Sequence, residues 1–156
     1  MFLLRRTRRR RDARVGPCVE DIAVSDRYFT PREANELLPT IRQLAERMVT
    51  HRRALAVATV RHGRIAAKIA GNGGGVRPHE VDTLQATIEA EAEGVVNCVE
   101  ELQSLGVVVK DLDQGLIDFP AQLGDEEVLL CWRLGEDEVA FWHTLEEGFA
   151  GRKPLP

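Results

Sequence analysis

The spacing of apolar residues changes near residue 107, and this change constrains the fold more than any other feature of the chain. Between Ala34 and Leu102, apolar side chains recur every three or four residues, which is the spacing of one helix face. From Val107 onward, short segments rich in β-branched and aromatic residues alternate with turn residues. A helical part followed by strands predicts an α+β fold for this chain of 156 residues.

The first helix has a clear start signal. Thr30 is suited to cap the helix, Pro31 to occupy its first position, and Glu33 to complete a capping box. Pro39 lies inside the apolar pattern and should kink the helix or remove one backbone hydrogen bond. We expect the helix to end within residues 61–68.

A second amphipathic helix begins near Pro78 and ends before Gly106. The segment Gly71–Gly75 that precedes it lacks the Lys-Ser/Thr of a phosphate-binding loop, so it is interpreted as a turn. The two helices therefore form a long antiparallel hairpin over residues 30–105. Each helix carries an apolar stripe, and within the hairpin only the other helix can cover that stripe. The hairpin must therefore pack on the C-terminal sheet, on a second copy of the chain, or on both. We expect a homodimer, or a larger homo-oligomer, formed through the helices in the manner of a coiled coil.

The strand-like part predicts a small four-stranded antiparallel β-meander over residues 107–144, against which the hairpin packs. A tail of residues 145–156 follows. The expected strands are separated by glycine- and aspartate-rich turns, and they cover Val107–Lys110, Leu116–Phe119, Val128–Leu134 and Val139–Thr144.

The register of the last two strands decides whether a metal site can form. A loop of two or four residues at Gly135–Glu138 would place Leu130 opposite His143. Because side chains alternate along a strand, Cys131 and His143 would then point to opposite faces. This register predicts no metal site and no cofactor. A three-residue loop would reverse the result, because a slip of one residue turns every side chain over.

The same register divides the sheet into an apolar face, which should pack on the helices, and a mixed face. A turn at Gly124 and Asp125 would pair Asp118 with Cys131. Asp118, Arg133 and Trp142 would then share the mixed face. Two interpretations of Asp118 and Arg133 stay open: a structural ion pair, or part of a ligand pocket beside the large aromatic ring.

Charge is distributed very unevenly along the chain. Residues 1–14 contain seven Arg and one Asp, whereas residues 15–156 contain 14 basic and 24 acidic residues. Residues 1–26 are expected to form a disordered Arg-rich arm. Alternatively, translation starts near Val15 or Val24, and the residues before that start are absent from the native protein. Because the remaining body is acidic, nucleic acid binding is a weak prediction that rests on the arm alone.

The cysteines and the apolar segments indicate a cytoplasmic protein. Cys18, Cys98 and Cys131 are far apart and form no Cys-x-x-Cys pair, which argues against a disulfide framework. No apolar run approaches the roughly 18 residues that span a bilayer, so no membrane association is predicted. The basic N-terminal segment is not followed by the apolar stretch of a secretory signal.

Several motifs resemble a bacterial family known as domain of unknown function 2203. The resemblance covers roughly residues 27–155 and is carried by Phe29–Pro39, Gly115–Pro120, Cys131–Glu136, Trp142–His143 and Gly148–Arg152. It implies kinship without an assigned activity. It further implies that the polar and aromatic residues of these motifs form one shared constellation, namely Asp118, Trp132, Arg133, Glu136, Trp142, His143 and Arg152.

Two functional hypotheses follow. The leading one is a non-enzymatic module that binds a protein partner or a small anionic ligand and self-associates, because no nucleophile–base pair or metal set is recognised. Its expected ligand-binding residues are Asp118, Arg133, Glu136, Trp142 and Arg152. The alternative is a small enzyme in which His143 acts as general acid or base while Asp118, Arg133 and Arg152 hold an anionic substrate. This alternative requires an open pocket at His143.

Overall fold

The computed structural model describes residues 27–71 and 75–156, so the predicted arm of residues 1–26 lies outside the described residues. The fold is α+β, with two long helices followed by an antiparallel sheet. In chain order the elements are α1 (Pro31–Ala70), α2 (Pro78–Ser104), β1 (Val108–Asp111), β2 (Leu116–Leu123), β3 (Glu126–Arg133), β4 (Phe141–Thr144), a 3-10 turn (Phe149–Gly151) and β5 (Lys153–Pro154).

Helix α1 begins at the predicted capping box. The Glu33 amide donates to Thr30 Oγ1 at 3.2 Å, and the Thr30 amide donates to Glu33 Oε2 at 2.8 Å. The helix continues through Pro39 and ends at Ala70, slightly beyond the predicted limit. No helix in the described part of the chain is both long and apolar enough to cross a membrane.

The hydrophobic core lies between one face of the sheet and the inner half of the hairpin, which comprises the start of α1 and the end of α2. Helix α1 contributes Ile41 and Met48, and α2 contributes Leu102, all with no measurable exposure. The sheet contributes Phe119 and Trp132, which are equally buried. Complete burial of such side chains contributes about 1.5–3 kcal/mol each, so this layer anchors the sheet on the hairpin.

The sheet is a meander in which sequential strands are neighbours, and it has five strands instead of the expected four. The additional strand, Lys153–Pro154, belongs to the segment predicted as a tail, and Lys153 pairs with Trp142. The Leu155 amide extends this edge by donating to the Ala140 carbonyl at 2.9 Å. A strand of two residues shows no alternation, so its sequence carries no strand signal.

The structure confirms the predicted register of β2 with β3, including Asp118 opposite Cys131. The predicted register of β3 with β4 is wrong by one residue. His143 lies opposite Leu129, and Cys131 lies opposite Phe141. Consequently His143 and Phe141 turn to the face of Cys131, while Trp142 turns to the face that packs on the helices.

The cause of this shift is the connection over residues 134–140, which is longer than a tight turn. Helix α1 holds it from outside the sheet. Asn35 accepts a hydrogen bond from the Val139 amide at 2.8 Å, and Arg42 donates to the carbonyl oxygens of Glu136 and Asp137 at 2.9 and 3.1 Å. The connection therefore follows the surface of α1, and this path determines which residue of β4 meets each residue of β3.

Candidate metal centre

Three buried side chains from three neighbouring strands meet on the sheet face that points away from the helices. They are Asp118 of β2, Cys131 of β3 and His143 of β4, with exposed fractions of 1%, 0% and 2%. One carboxylate oxygen, the thiol sulfur and one imidazole nitrogen all lie within 4.8 Å of one another. Sequence reasoning separated Cys131 from His143 because it assumed a short β3–β4 loop.

The hydrogen bonds of His143 aim one ring nitrogen into this cluster. Its Nδ1 lies 2.8 Å from the backbone oxygen of Thr144, and its Nε2 lies 3.2 Å from Asp118 Oδ2. A carbonyl oxygen can only accept, so Nδ1 carries a proton in this bond. The contact between Nε2 and Asp118 Oδ2 then needs a second proton on one of these two atoms. A metal ion that displaces this proton would meet an Nε2 lone pair directed at the cluster. Histidine ligands of metal ions are oriented in the same way, with the distal nitrogen donating to a carbonyl or carboxylate.

The carboxyl group of Asp118 is incompletely paired. Its Oδ1 is buried and has no hydrogen-bond partner among the described residues. Burial raises the pKa of Asp118, an effect that the nearby charges of His143 and Lys110 and hydrogen bonds with Cys131 and His143 reduce. An unpaired buried polar atom typically costs about 1–3 kcal/mol, so a cation or a proton at this oxygen would be stabilising.

The thiol of Cys131 is unsuited to nucleophilic attack. Burial, followed by the charge of Asp118, raises the pKa of Cys131 to about 12, although the charge of Arg152 opposes this shift. Such a thiol is protonated near pH 7, whereas the reactive form of cysteine is the thiolate. A coordinated metal ion reverses this preference because it displaces the thiol proton.

An ion pair between Glu136 and Arg152 braces the C-terminal segment beside the cluster. Arg152 Nη2 lies 2.7 Å from Glu136 Oε1, and Glu136 Oε2 accepts from the Arg133 amide at 2.9 Å. The Arg152 guanidinium carbon lies 3.9 Å from the ring centre of Phe141 and 4.8 Å from that of Phe149. Because Phe141 is the neighbour of Cys131 across the strands, this stack lies next to the cluster.

A small cavity of about 130 Å³ adjoins the cluster on the same sheet face. Two of its lining residues, Val108 and Leu129, are the cross-strand partners of Asp118 and His143. Lys110, whose charge reaches Asp118, also lines the cavity. A small ligand in this cavity would contact Val108 and Leu129, whose strand partners are Asp118 and His143.

The predicted constellation is therefore divided. It forms two adjacent groups. Asp118 contacts His143 in one group, and Glu136 pairs with Arg152 in the other. Arg133 lies opposite Leu116 and is exposed, so the partner of Asp118 is His143 and not Arg133. Catalysis by His143 would require an open pocket, and within the described residues its side chain is only 3% exposed.

Trp142, expected on the mixed face, packs instead against the hydrophobic core. Cys131 is the member of this cluster that the predicted ligand set lacked. The sequence did place Cys131 opposite Asp118. The predicted β3–β4 register, however, put His143 on the other face of the sheet, so the three residues were not recognised as a cluster.

The segments that carry the family resemblance converge on this centre. Gly115–Pro120 supplies Asp118, Cys131–Glu136 supplies the thiol, Trp142–His143 supplies the imidazole and Gly148–Arg152 supplies the neighbouring arginine. No curated protein and no solved structure matches the chain. A family model described as "Uncharacterized conserved protein (DUF2203)" matches residues 27–155, and the chain belongs to this family.

Proposed function

We propose that this protein is a binding module for a divalent transition-metal ion of the zinc class, held by Asp118, Cys131 and His143. The observation that carries the proposal is the approach of three different donor atoms, from three neighbouring strands, to within 4.8 Å of one another in a buried site. A metal ion is a ligand of defined chemistry for the binding hypothesis. The proposal replaces the expectation that no metal binds.

The donor set favours particular ions. Thiolate and imidazole suit zinc and other late first-row metals, whereas magnesium and calcium prefer sites made of oxygen atoms. In a tetrahedral zinc site the donor atoms lie about 3.3–3.8 Å apart, because the metal–ligand bonds are about 2.0–2.3 Å long. The cluster therefore needs a contraction of only about 1 Å to surround such an ion.

Three protein ligands leave a fourth position of a tetrahedral ion for water or a small ligand. The nearby cavity, lined by Leu129 and Lys110, gives a small ligand space on the same sheet face as the ion. The positive charge of Lys110 favours an anionic group, in agreement with the expected class of ligand.

Zinc titration of metal-free protein tests the proposal. We expect one Zn²⁺ per chain by calorimetry, with affinity lost by at least about tenfold in Cys131→Ser and His143→Gln. Cobalt(II) adds a spectroscopic test, since a thiolate ligand produces a sulfur-to-metal charge-transfer band. This band should disappear in Cys131→Ser.

The matched control is Cys98→Ser, which removes another fully buried cysteine from the helical core. This variant should retain the cobalt band and the zinc affinity once circular dichroism shows that it is folded. Equal zinc affinity in folded Cys131→Ser and wild type, or a cobalt spectrum without a thiolate band, would refute the proposal.

A further inference from the structure

The outer half of the helical hairpin has very little core of its own. In this part, residues 50–71 and 75–94, the described apolar side chains that are buried are Ala58 and Leu84. Val57 and Val60 are 71% and 55% exposed on α1. Two helices joined by a turn need a packed apolar seam to remain helical, because helix propensity alone stabilises them only marginally. The outer half is therefore a surface that favours a covering partner.

The charges of this outer half are segregated by helix. Residues 50–70 of α1 contain five Lys and Arg and no acidic residue. Residues 78–94 of α2 contain five Asp and Glu and neither Lys nor Arg. Two pairs join these helices within the chain, Arg61 with Glu80 at 2.9 Å and His51 with Glu91 at 2.7 Å. Other charges of both signs are exposed, Arg53 and Arg64 on α1 and Glu89 and Glu93 on α2, so the surface is complementary to that of a second copy.

A groove of about 820 Å³ runs between these two helices. Its floor includes Ala54, Val57 and Leu84, and three arginines line it against one glutamate, Glu80. The groove thus combines an apolar floor with positive edges. An acidic amphipathic helix is the occupant that matches both properties, and α2 is such a helix.

We infer that the outer half of the hairpin binds the outer half of a second copy of this chain, with each acidic α2 lying against the basic α1 of the partner. A two-fold axis makes this contact twice, so the apolar floors of the two grooves face each other. The product is a four-helix bundle. Packing α1 on α1 would instead bring ten positive groups together, which charge repulsion opposes.

Charge reversal tests the arrangement in the full chain. One variant carries Arg53→Glu and Arg64→Glu on α1, and the other carries Glu89→Lys and Glu93→Lys on α2; all four side chains are exposed. We expect a wild-type dimer by sedimentation, and each variant alone should dimerise at least about tenfold more weakly. An equimolar mixture should restore a dimer, because the reversed α1 then faces the reversed α2.

The controls separate this inference from misfolding and from the metal proposal. Asp125→Lys changes an exposed charge in the β2–β3 turn and should leave the dimer intact. Cys131→Ser should also dimerise as wild type does, because the hairpin contact does not use the metal centre. A wild-type chain that stays monomeric, or folded variants whose mixture does not associate, would overturn the inference.

Discussion

The imidazole of His143 and the carboxylate of Asp118 form a buried pair in which Nε2 lies 3.2 Å from Oδ2. Neither residue is more than 2% exposed, so each depends on the other for compensation of its lost hydration. The pair also joins β2 to β4 across the intervening β3, and Cys131 of β3 lies beside both groups. The structural pair and the proposed metal site consequently use the same atoms.

Removal of either partner should destabilise the metal-free protein. We expect Asp118→Ala or His143→Ala to lower the free energy of unfolding by about 2–4 kcal/mol, since each leaves a buried polar group unpaired. The double variant should lose less than the sum of the two. Urea denaturation in the presence of a chelator measures these values. Asp125→Ala, at an exposed turn position, should stay within about 0.5 kcal/mol of wild type.

Asn35 should affect the metal centre without contacting it. Asn35→Ala removes both hydrogen bonds to Val139, at 2.8 and 3.3 Å, and so releases the connection that sets the β3–β4 register. We expect a loss of about 1–2 kcal/mol in the free energy of unfolding together with weaker zinc binding. The exposed side chain of Arg47 is the control, and Arg47→Ala should change neither quantity. Unchanged zinc affinity in Asn35→Ala would contradict the role given to this connection.

Arg152 should limit access to the Cys131 thiol. In Arg152→Ala the Glu136 ion pair and the contacts with Phe141 and Phe149 are lost, so local opening of the C-terminal segment becomes easier. We expect Cys131 to react about tenfold faster with a maleimide in metal-free Cys18→Ser protein. The reaction of Cys98 in the same sample provides the internal control. Equal acceleration at both cysteines would indicate general unfolding instead.

Two helical glycines should respond in opposite directions to alanine. A Cβ at Gly94 would lie 2.6 Å from His51 Nδ1, whereas a Cβ at Gly63 meets nothing within 4 Å. Gly63→Ala should stabilise the protein by up to about 1 kcal/mol, and Gly94→Ala should destabilise it by about 1–3 kcal/mol. Adding His51→Ser to Gly94→Ala should recover most of the loss. Thermal unfolding of wild type and these three variants is sufficient to measure the differences.

The capping box should make helix α1 sensitive to acid. Hydrogen bonds from the backbone and side chain of Thr30 hold the pKa of Glu33 below its ordinary value of 4.5. The folded state therefore binds a proton less readily than the unfolded state, so this contribution to stability is complete above pH 4.5 and is lost as the pH falls through the folded pKa. Amide exchange in the first turn should show this loss in wild type, and Glu33→Gln should not show it.

The sequence by itself determined the elements whose signals are local. Thr30 and Glu33 specify the start of α1 through hydrogen bonds within one turn. The β2–β3 register follows from a tight turn at Gly124, whose φ of +65° favours glycine, and it places Asp118 opposite Cys131. In each case the interacting residues are close in the chain, so their pattern is readable without the rest of the molecule.

Only the tertiary structure decided that His143 joins Asp118 and Cys131. The β3–β4 connection takes its path from Asn35 and Arg42, which lie about a hundred residues earlier in the chain. Because side chains alternate with a period of two, the resulting shift of one residue moves His143 onto the face of Cys131 and Trp142 onto the core. A contact between distant segments therefore determines whether the three donor atoms form a site.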